Sequence, residues 1–263
     1  MLNIVEQLVQ TLGYFSASPV LLAFMTAQIC FALTLIGALP VLMGARKVNV
    51  LLPYGLGFSA GVMITASYTS LLLPSIEHGG SFPAVVGLVL GALFTHFLNE
   101  SLPHEHLVKG VEGPEWLVRK IRAAWLLAFA IIIHNVPEGI AVGVASAQSL
   151  RDGVVLALAI GIQDIPEGLA VSAPLFSATR NLRFTLGLAV LSGLVEPIAA
   201  AGAAGVASTS AQLLSYMLSF AAGSMLYVVL HEVVPEAHSE RRETRATASM
   251  IAGVMLTVLL DSL

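Results

Sequence analysis

Two short segments of the chain repeat one arrangement of polar residues within apolar surroundings. The first, HNVPEGIAVG, begins at His134, which stands four residues before Glu138. The second, QDIPEGLAVS, begins at Gln163, which stands four residues before Glu167. On a helix this spacing puts both polar side chains of a segment on one face. Imidazole, carboxylate and amide oxygen suit borderline divalent ions, so the repeated segments predict a metal site.

Acidic residues inside the apolar stretches support the same prediction. No lysine or arginine falls within those stretches, and carboxylates in hydrocarbon are costly unless they are protonated, hydrogen-bonded or matched by a cation. Two divalent ions would match four carboxylates; zinc is the first choice, with iron, manganese and cadmium as alternatives. Polar contacts between helices, or a metal that only stabilises the protein, would use the same side chains. The four acidic residues are Glu138, Asp164, Glu167 and Glu196.

The composition is that of a protein that crosses the lipid bilayer several times. Of the 263 residues, 57% are hydrophobic and 11% are charged, and the mean hydropathy is +0.88. The net charge is -4, and the basic residues flank predicted helices rather than cluster on one surface, so the sequence gives no support for nucleic-acid binding. A single cysteine, Cys30, excludes an intrachain disulfide or a thiolate cluster, and we assign it to helix packing.

Apolar runs of about 20 residues predict an all-α membrane protein with eight transmembrane helices in one membrane domain. Spans one to three occupy 19–98, a cytoplasmic loop 99–122, and spans four to eight 123–263. Three pairs of glycines in GxxxG steps predict close contacts between helices: Gly57 and Gly61, Gly87 and Gly91, Gly139 and Gly143. The predicted spans are 19–43, 55–76, 82–98, 123–147, 153–176, 184–206, 211–236 and 246–263.

The N-terminal segment, 1–18, lacks the positive charge and cleavage site of a signal peptide. Its apolar residues recur at helical spacing and predict a short interfacial helix. These residues are Ile4, Val5, Leu8, Leu12 and Phe15.

The basic residues predict the orientation in the membrane. Basic loops stay in the cytoplasm, and every lysine and arginine except Arg151 follows span one, three, five or seven. We therefore expect both termini on the non-cytoplasmic side of the membrane. The residues are Arg46, Lys47, Lys109, Arg119, Lys120, Arg122, Arg180, Arg183, Arg241, Arg242 and Arg245.

Depth in the membrane is similar for the two repeated segments and Glu196. Each lies roughly 15 to 22 Å from the start of its span, near the middle of a hydrocarbon core about 30 Å thick. Spans four and five run antiparallel, so their motifs would be related by a two-fold axis in the membrane plane, as in transporter sites. Pro137 and Pro166 occupy matching positions and predict helix kinks that open space beside the site.

Polar residues at the end of span seven form the segment HEVVPE. They are either ligands on an exit route to the cytoplasm or polar residues that meet water at a helix end. These residues are His231, Glu232 and Glu236.

The loop 99–122 contains the segment HEH, which either captures or senses metal or is an ordinary solvated stretch. Its residues are His104, Glu105 and His106.

With these motifs assembled, the chain closely resembles the ZIP (Zrt- and Irt-like protein) family of divalent metal transporters, in its bacterial branch. The paired HNVPEG and QDIPEG segments, GLVEP in span six and HEVVPE in span seven carry the resemblance, which covers essentially all eight spans. The family implies uptake of metal toward the cytoplasm by homodimers. It also implies movement of spans one, four, five and six against the other four.

The resemblance also implies two sets of metal ligands. Met63 enters only through it, from SAGVMITASY in span two, since a methionine in an apolar span otherwise indicates packing. Glu138 and Glu167 would bridge the two ions, and Asp164 could be shared. The first ion would be held by Met63, His134, Glu138, Gln163 and Glu167, and the second by Asn135, Glu138, Asp164, Glu167 and Glu196.

Span five departs from a pattern common in the family, HExPHE. Gln163, Asp164 and Glu167 stand where that pattern has His, Glu and His. The departure makes the ligand set harder and weakens the expectation of narrow zinc specificity.

Two other classes of protein use intramembrane metal. A zinc-dependent hydrolase would need an open coordination position and a glutamate that activates water, but the chain has no HExxH pair. A membrane metal sensor would need an output domain, for which these 263 residues leave no room. We therefore expect a transporter of divalent metals rather than an enzyme, with no catalytic cofactor.

Overall fold

The computed structural model describes residues 2–15, 18–43, 45–101, 104–106, 110–112, 123–179, 181–238 and 243–262. Most of these residues are helical, since only helices satisfy the backbone of a long apolar segment internally. A 3-10 turn at Leu39–Met43 and π-helical turns at Ser67–Leu72 and Val229–Val233 extend neighbouring helices. The helices are α1 (Leu2–Phe15), α2 (Pro19–Ala38), α3 (Ala45–Ala66), α4 (Leu73–Gly79), α5 (Ser81–Ser101), α6 (Ala123–Gln148), α7 (Leu150–Thr179), α8 (Leu182–Gly193), α9 (Val195–Ala207), α10 (Ala211–Val228), α11 (Val234–Ala237) and α12 (Glu243–Asp261).

Six helical stretches within the described residues are long and apolar enough to cross a membrane. They coincide with six of the eight predicted spans. The other two predicted spans coincide with α6 and α7, which have 26 and 30 residues. The six stretches are Pro19–Leu42, Tyr54–Gly79, Ser81–Ser101, Leu182–Ala207, Ala211–Ala237 and Glu243–Asp261.

The long helices pack in two groups. Helices α2, α6, α7 and α9 contact one another and form the first helix group. In the second helix group, α5 packs on α10 and α3 packs on α12. Contacts of α3 with α7 and of α10 with α6 join the two groups. Both repeated segments therefore lie in the first group, next to its boundary with the second.

The glycine pairs lie at helix contacts, as their spacing predicts. A Cβ atom on Gly139 would meet the carbonyl oxygen of Glu196, and one on Gly143 would meet that of Ala200. This close approach holds the backbone of α9 against α6. The other two pairs face α12 and α10 in the same way, Gly57 and Gly61 against Ala246 and Met250, and Gly87 and Gly91 against Ser219 and Phe220.

The N-terminal helix α1 confirms that the predicted segment is helical, while its interfacial position remains a prediction. Val5 is buried, and Leu8 and Leu12 pack partly buried against the same cluster, which includes Val154 of α7. Ile4 is 54% exposed and lies one position, or about 100°, from Val5 around the helix.

A pair of short strands departs from the all-α expectation. His104–His106 (β1) pairs antiparallel with Gly110–Glu112 (β2), with His104 opposite Glu112. The two strands lie in the predicted loop 99–122, where Pro103, Gly110, Gly113 and Pro114 disfavour a helix. The rest of the predicted loop beyond Ser101, and most of the basic residues used to predict the orientation, lie outside the described residues or side chains.

Candidate metal centre

The two repeated segments meet through the side chain of Gln163. Its amide nitrogen donates to Glu138 Oε1 at 2.5 Å and to Asp164 Oδ1 at 2.7 Å. All three side chains are buried.

Pro137 and Pro166 lie inside uninterrupted helices, so the predicted kinks remain a prediction. One turn before Pro166, the carbonyl of Gln163 accepts a hydrogen bond from Ser59 of α3 at 3.1 Å.

His134 lies between two carboxylates from different helices. Its Nδ1 is 3.8 Å from Glu167 Oε1 on α7, and its Nε2 is 2.7 Å from Glu232 Oε2. Glu232 belongs to the π-helical turn after α10 and is 1% exposed, so the interpretation as a polar residue that meets water is wrong for it. Single π turns often occur at functional sites. Sequence reasoning missed this pairing because it placed Glu232 at the mouth of the membrane rather than beside the site.

Glu196 is held in place by donors from two other helices. Its Oε1 accepts from Asn135 Nδ2 on α6 at 3.2 Å and from Thr34 Oγ1 on α2 at 3.2 Å. Asn135 also donates to the carbonyl of Ser192 at 3.0 Å. Glu196 lies in the first turn of α9, where the partial positive charge of a helix N-terminus favours a carboxylate.

Five buried oxygen atoms at the centre of this network have no hydrogen-bond donor. A buried acceptor without a partner is costly, and a cation is one group that could satisfy several of them at once. The donor set of carboxylates, amide and imidazole fits a borderline divalent ion. The atoms are Oε2 of Glu138, Glu167 and Glu196, Oε1 of Gln163, and Oδ2 of Asp164.

Two clusters of ligand atoms can be recognised among the described residues. In one, Glu138, Asp164 and Glu167 each offer an oxygen, and the three atoms lie within 4.8 Å of one another. In the other, Asp164 and Glu196 offer oxygens and Cys30 offers its sulfur, again within 4.8 Å. Asp164 belongs to both. The acidic residues predicted from sequence are therefore brought together.

Cys30, which sequence reasoning assigned to helix packing, packs in the apolar core and also lies beside the centre. Its thiol is buried on α2 and contacts the carbonyl of Ala157 at 3.4 Å. A single cysteine within an apolar helix has no partner at a recognisable spacing, so no signal in the sequence could have connected it to α7 and α9.

The remaining predicted residues lie close to the centre or at its edge. Met63 is 1% exposed on α3 and belongs to the main apolar cluster, and its thioether as a metal ligand remains a prediction. The His231 ring stacks on Tyr227 with centroids 5.0 Å apart, and the Tyr227 hydroxyl lies 2.9 Å from His96 Nδ1. Glu236 is partly buried on α11.

A cavity extends from the acidic cluster along α7. It is lined by Asp164 and Glu167 at one end and by Ser172 and Leu175 farther along the helix, with Thr185 of α8 opposite. This direction leads toward the end of α7 and the start of α8. The cavity is small, about 10 Å³ or room for roughly one water molecule, so it is a pocket beside the centre rather than an open path.

Comparison with known proteins identifies the family. The family model described as Zip: ZIP Zinc transporter matches residues 111–261. The chain is 41% identical to "Zinc transporter ZIPB" of Bordetella bronchiseptica, over 88% of this chain and 78% of the relative. It is 37% identical to "Zinc transporter GufA" of Myxococcus xanthus, over 86% of this chain and 92% of the relative.

The chain belongs to the ZIP zinc transporter family. A more distant relative, "Zinc transporter ZIP11" of Homo sapiens, is 32% identical over 93% of this chain and 97% of its own length. The resemblance inferred from the paired motifs is therefore confirmed. With its apolar helices, the chain is a multi-pass membrane protein of a family of metal transporters. Membership supports metal transport as its activity.

Proposed function

We propose that this ZIP family member carries divalent transition metals, zinc first, across the membrane toward the cytoplasm. The observation that carries the proposal is the convergence of five buried oxygen atoms without donors from α6, α7 and α9. Cadmium, iron and manganese are further substrates, because Gln163 and Glu167 replace histidines of the common family pattern. The ion is the substrate of the protein rather than a resident cofactor.

The site holds two ions that share bridging carboxylates. The cluster of Glu138, Asp164 and Glu167 supports one position, and the cluster that contains Glu196 supports the other. His231, Glu232 and Glu236 then serve the exit. The first ion takes Met63, His134, Glu138, Gln163 and Glu167, and the second takes Asn135, Glu138, Asp164, Glu167 and Glu196.

All eight predicted spans cross a bacterial inner membrane, with both termini on the non-cytoplasmic side. In this orientation the end of α7, next to Arg180 and Arg183, faces the cytoplasm. The polar side chains of Ser172 and Thr185, which line a small pocket beyond Glu167, support release in that direction.

The first helix group moves against the second during transport, and the protein acts as a homodimer. The division of the long helices into two packed groups supports the movement. Asp164, Glu167 and Glu196 all belong to the first group, so they would carry the ion with them. Ser59 and Glu232 belong to the second group and contact the repeated segments across the boundary.

A zinc-dependent hydrolase is less well supported by the same residues. Catalysis would require a glutamate beside one metal with a free position, whereas here carboxylates and one thiol form two adjoining clusters that share Asp164. Relatives across bacteria and animals are named as zinc transporters.

Flux of radioactive zinc into proteoliposomes tests the proposal. Wild-type protein should give saturable flux that cadmium, iron and manganese reduce by competition. The Glu138→Ala, Glu167→Ala double variant should insert but give no flux, while Glu77→Ala, which changes an exposed carboxylate, should transport like wild type. Tight zinc binding without flux in the wild type would contradict transport and favour a structural or catalytic metal.

A further inference from the structure

A sulfur ligand lies beside two acidic residues of the metal centre. Cys30 on α2, Asp164 on α7 and Glu196 on α9 each offer one ligand atom, and these atoms lie within 4.8 Å of one another. All three residues are at most 2% exposed. Cys30 stands 134 positions before Asp164 and 166 before Glu196, so the packing of three helices brings it to the two carboxylates.

The two carboxylates are held so that each keeps one oxygen free. Asp164 accepts the Gln163 amide with Oδ1, and Glu196 accepts Asn135 and Thr34 with Oε1. Asp164 Oδ2 and Glu196 Oε2 are buried and have no donor. Buried oxygens without donors next to a thiol are the donor set of a cation site rather than of ordinary helix packing.

We propose that Cys30, Asp164 and Glu196 form a site for thiophilic divalent ions, cadmium and zinc above manganese. The inference deepens the proposed function, since the site lies at the second ion position and makes Cys30 a residue that determines selectivity. When the ion binds, the Cys30 S–H bond breaks, a metal–sulfur bond forms, and the proton leaves to solvent. The thiol then gives up its contact with the Ala157 carbonyl.

A thiolate from Cys30 would compensate for the two histidine nitrogens that the common family pattern has in this helix, α7, and that this chain lacks. Gln163 and Glu167 offer oxygens, which favour harder ions such as manganese, whereas thiolate favours zinc and cadmium. Because α2, α7 and α9 all belong to the first helix group, the three ligands would keep their geometry if that group moves.

X-ray absorption of cadmium bound to the purified full-length protein tests the sulfur ligand directly. Every protein in this experiment carries Met63→Leu, which removes the thioether proposed for the first ion at little change in volume. The protein that keeps Cys30 should show cadmium–sulfur scattering, and the one with Cys30→Ser should lack it. The matched control adds Ala23→Cys to Cys30→Ser. Its single thiol lies on the same face of α2 about 10 Å from position 30, and its spectrum should also lack sulfur. Only nitrogen and oxygen neighbours in the protein that keeps Cys30, or sulfur scattering from the relocated thiol, would overturn the proposal.

Competition in proteoliposomes tests selectivity. Loss of the thiolate should lower the affinities for zinc and cadmium and leave the affinity for manganese little changed. Manganese should therefore compete against zinc flux roughly ten-fold or more effectively in Cys30→Ser than in the wild type, as when a metal site loses a supporting group. Equal manganese competition in both proteins would overturn the role of Cys30. If the wild type shows no flux at all, the proposed function fails, while the absorption spectra still decide whether Cys30 binds metal. The Met63→Leu protein that keeps Cys30 decides the question should Cys30→Ser not fold.

Discussion

Nε2 of His134 lies 2.7 Å from Oε2 of Glu232, and this contact joins the first helix group to the second. The carboxylate lies beside one ring nitrogen, and Nδ1 lies on the side of Glu167, 3.8 Å away. Histidines that ligate metals commonly donate their other ring N–H to a carboxylate, which orients the ring. Glu232 is placed to do this for His134 while it is itself buried.

Replacement of Glu232 by glutamine should weaken zinc binding. Loss of the partner carboxylate of a ligating histidine costs about 10 to 100-fold in metal affinity, and isothermal titration of detergent-solubilised protein measures it. Glu77→Gln removes an exposed carboxylate elsewhere and should bind like wild type. Equal zinc affinities for Glu232→Gln and wild type would show that Glu232 does not support His134.

Replacement of Gln163 by histidine should narrow the metal preference toward zinc. In the wild type, the Gln163 amide donates hydrogen bonds to Glu138 and Asp164. An imidazole at this position would add a nitrogen ligand, which zinc favours over manganese. Competition of manganese against radioactive zinc flux should fall in the variant. Gln10→His, on the exposed side of α1, is the control and should leave the competition unchanged. Stronger manganese competition in Gln163→His would contradict the expected direction.

Replacement of Gly139 by alanine should destabilise the protein and disturb Glu196. The new Cβ would overlap the Glu196 carbonyl, and overpacking of this kind costs about 1–3 kcal/mol. Gly202→Ala places its methyl group where no atom lies within 4 Å and should be neutral or stabilising by up to about 1 kcal/mol. Thermal unfolding in detergent compares the two variants. A Gly139→Ala protein as stable as Gly202→Ala would mean that α6 and α9 are not in close contact.

Zinc should raise the temperature at which the protein unfolds, and replacement of Asp164 should remove much of this increase. An ion that binds only the folded protein stabilises it by about 2.7 kcal/mol at a hundred times its Kd. Asp164 belongs to both ligand clusters, so Asp164→Asn should weaken both ion positions. The temperature of unfolding with and without zinc measures the effect, with the exposed Glu243→Gln as the control. Full protection of Asp164→Asn by zinc would exclude Asp164 from the site.

The repeated segments made much of the centre predictable. A polar or ionisable residue inside an apolar run is costly to bury. The polar residues of HNVPEG and QDIPEG, and Glu196, therefore stand out in the sequence as candidates for a site. The structure brings these residues into one network through Gln163 and Asn135. Six of the eight predicted spans recur as helices that meet the length and composition of a membrane crossing.

The sequence by itself determined the class of protein, the helical segments and the acidic residues, because apolar run length and the cost of buried charge are local properties of the chain. Only the tertiary structure decided which residues meet. It paired His134 with Glu232 and brought Cys30 beside Asp164 and Glu196, since these contacts depend on how helices far apart in the sequence pack together. The spacing of Gly139 and Gly143 predicts that this face of a helix makes a close contact, but which helix lies against it depends on the shape of whole surfaces.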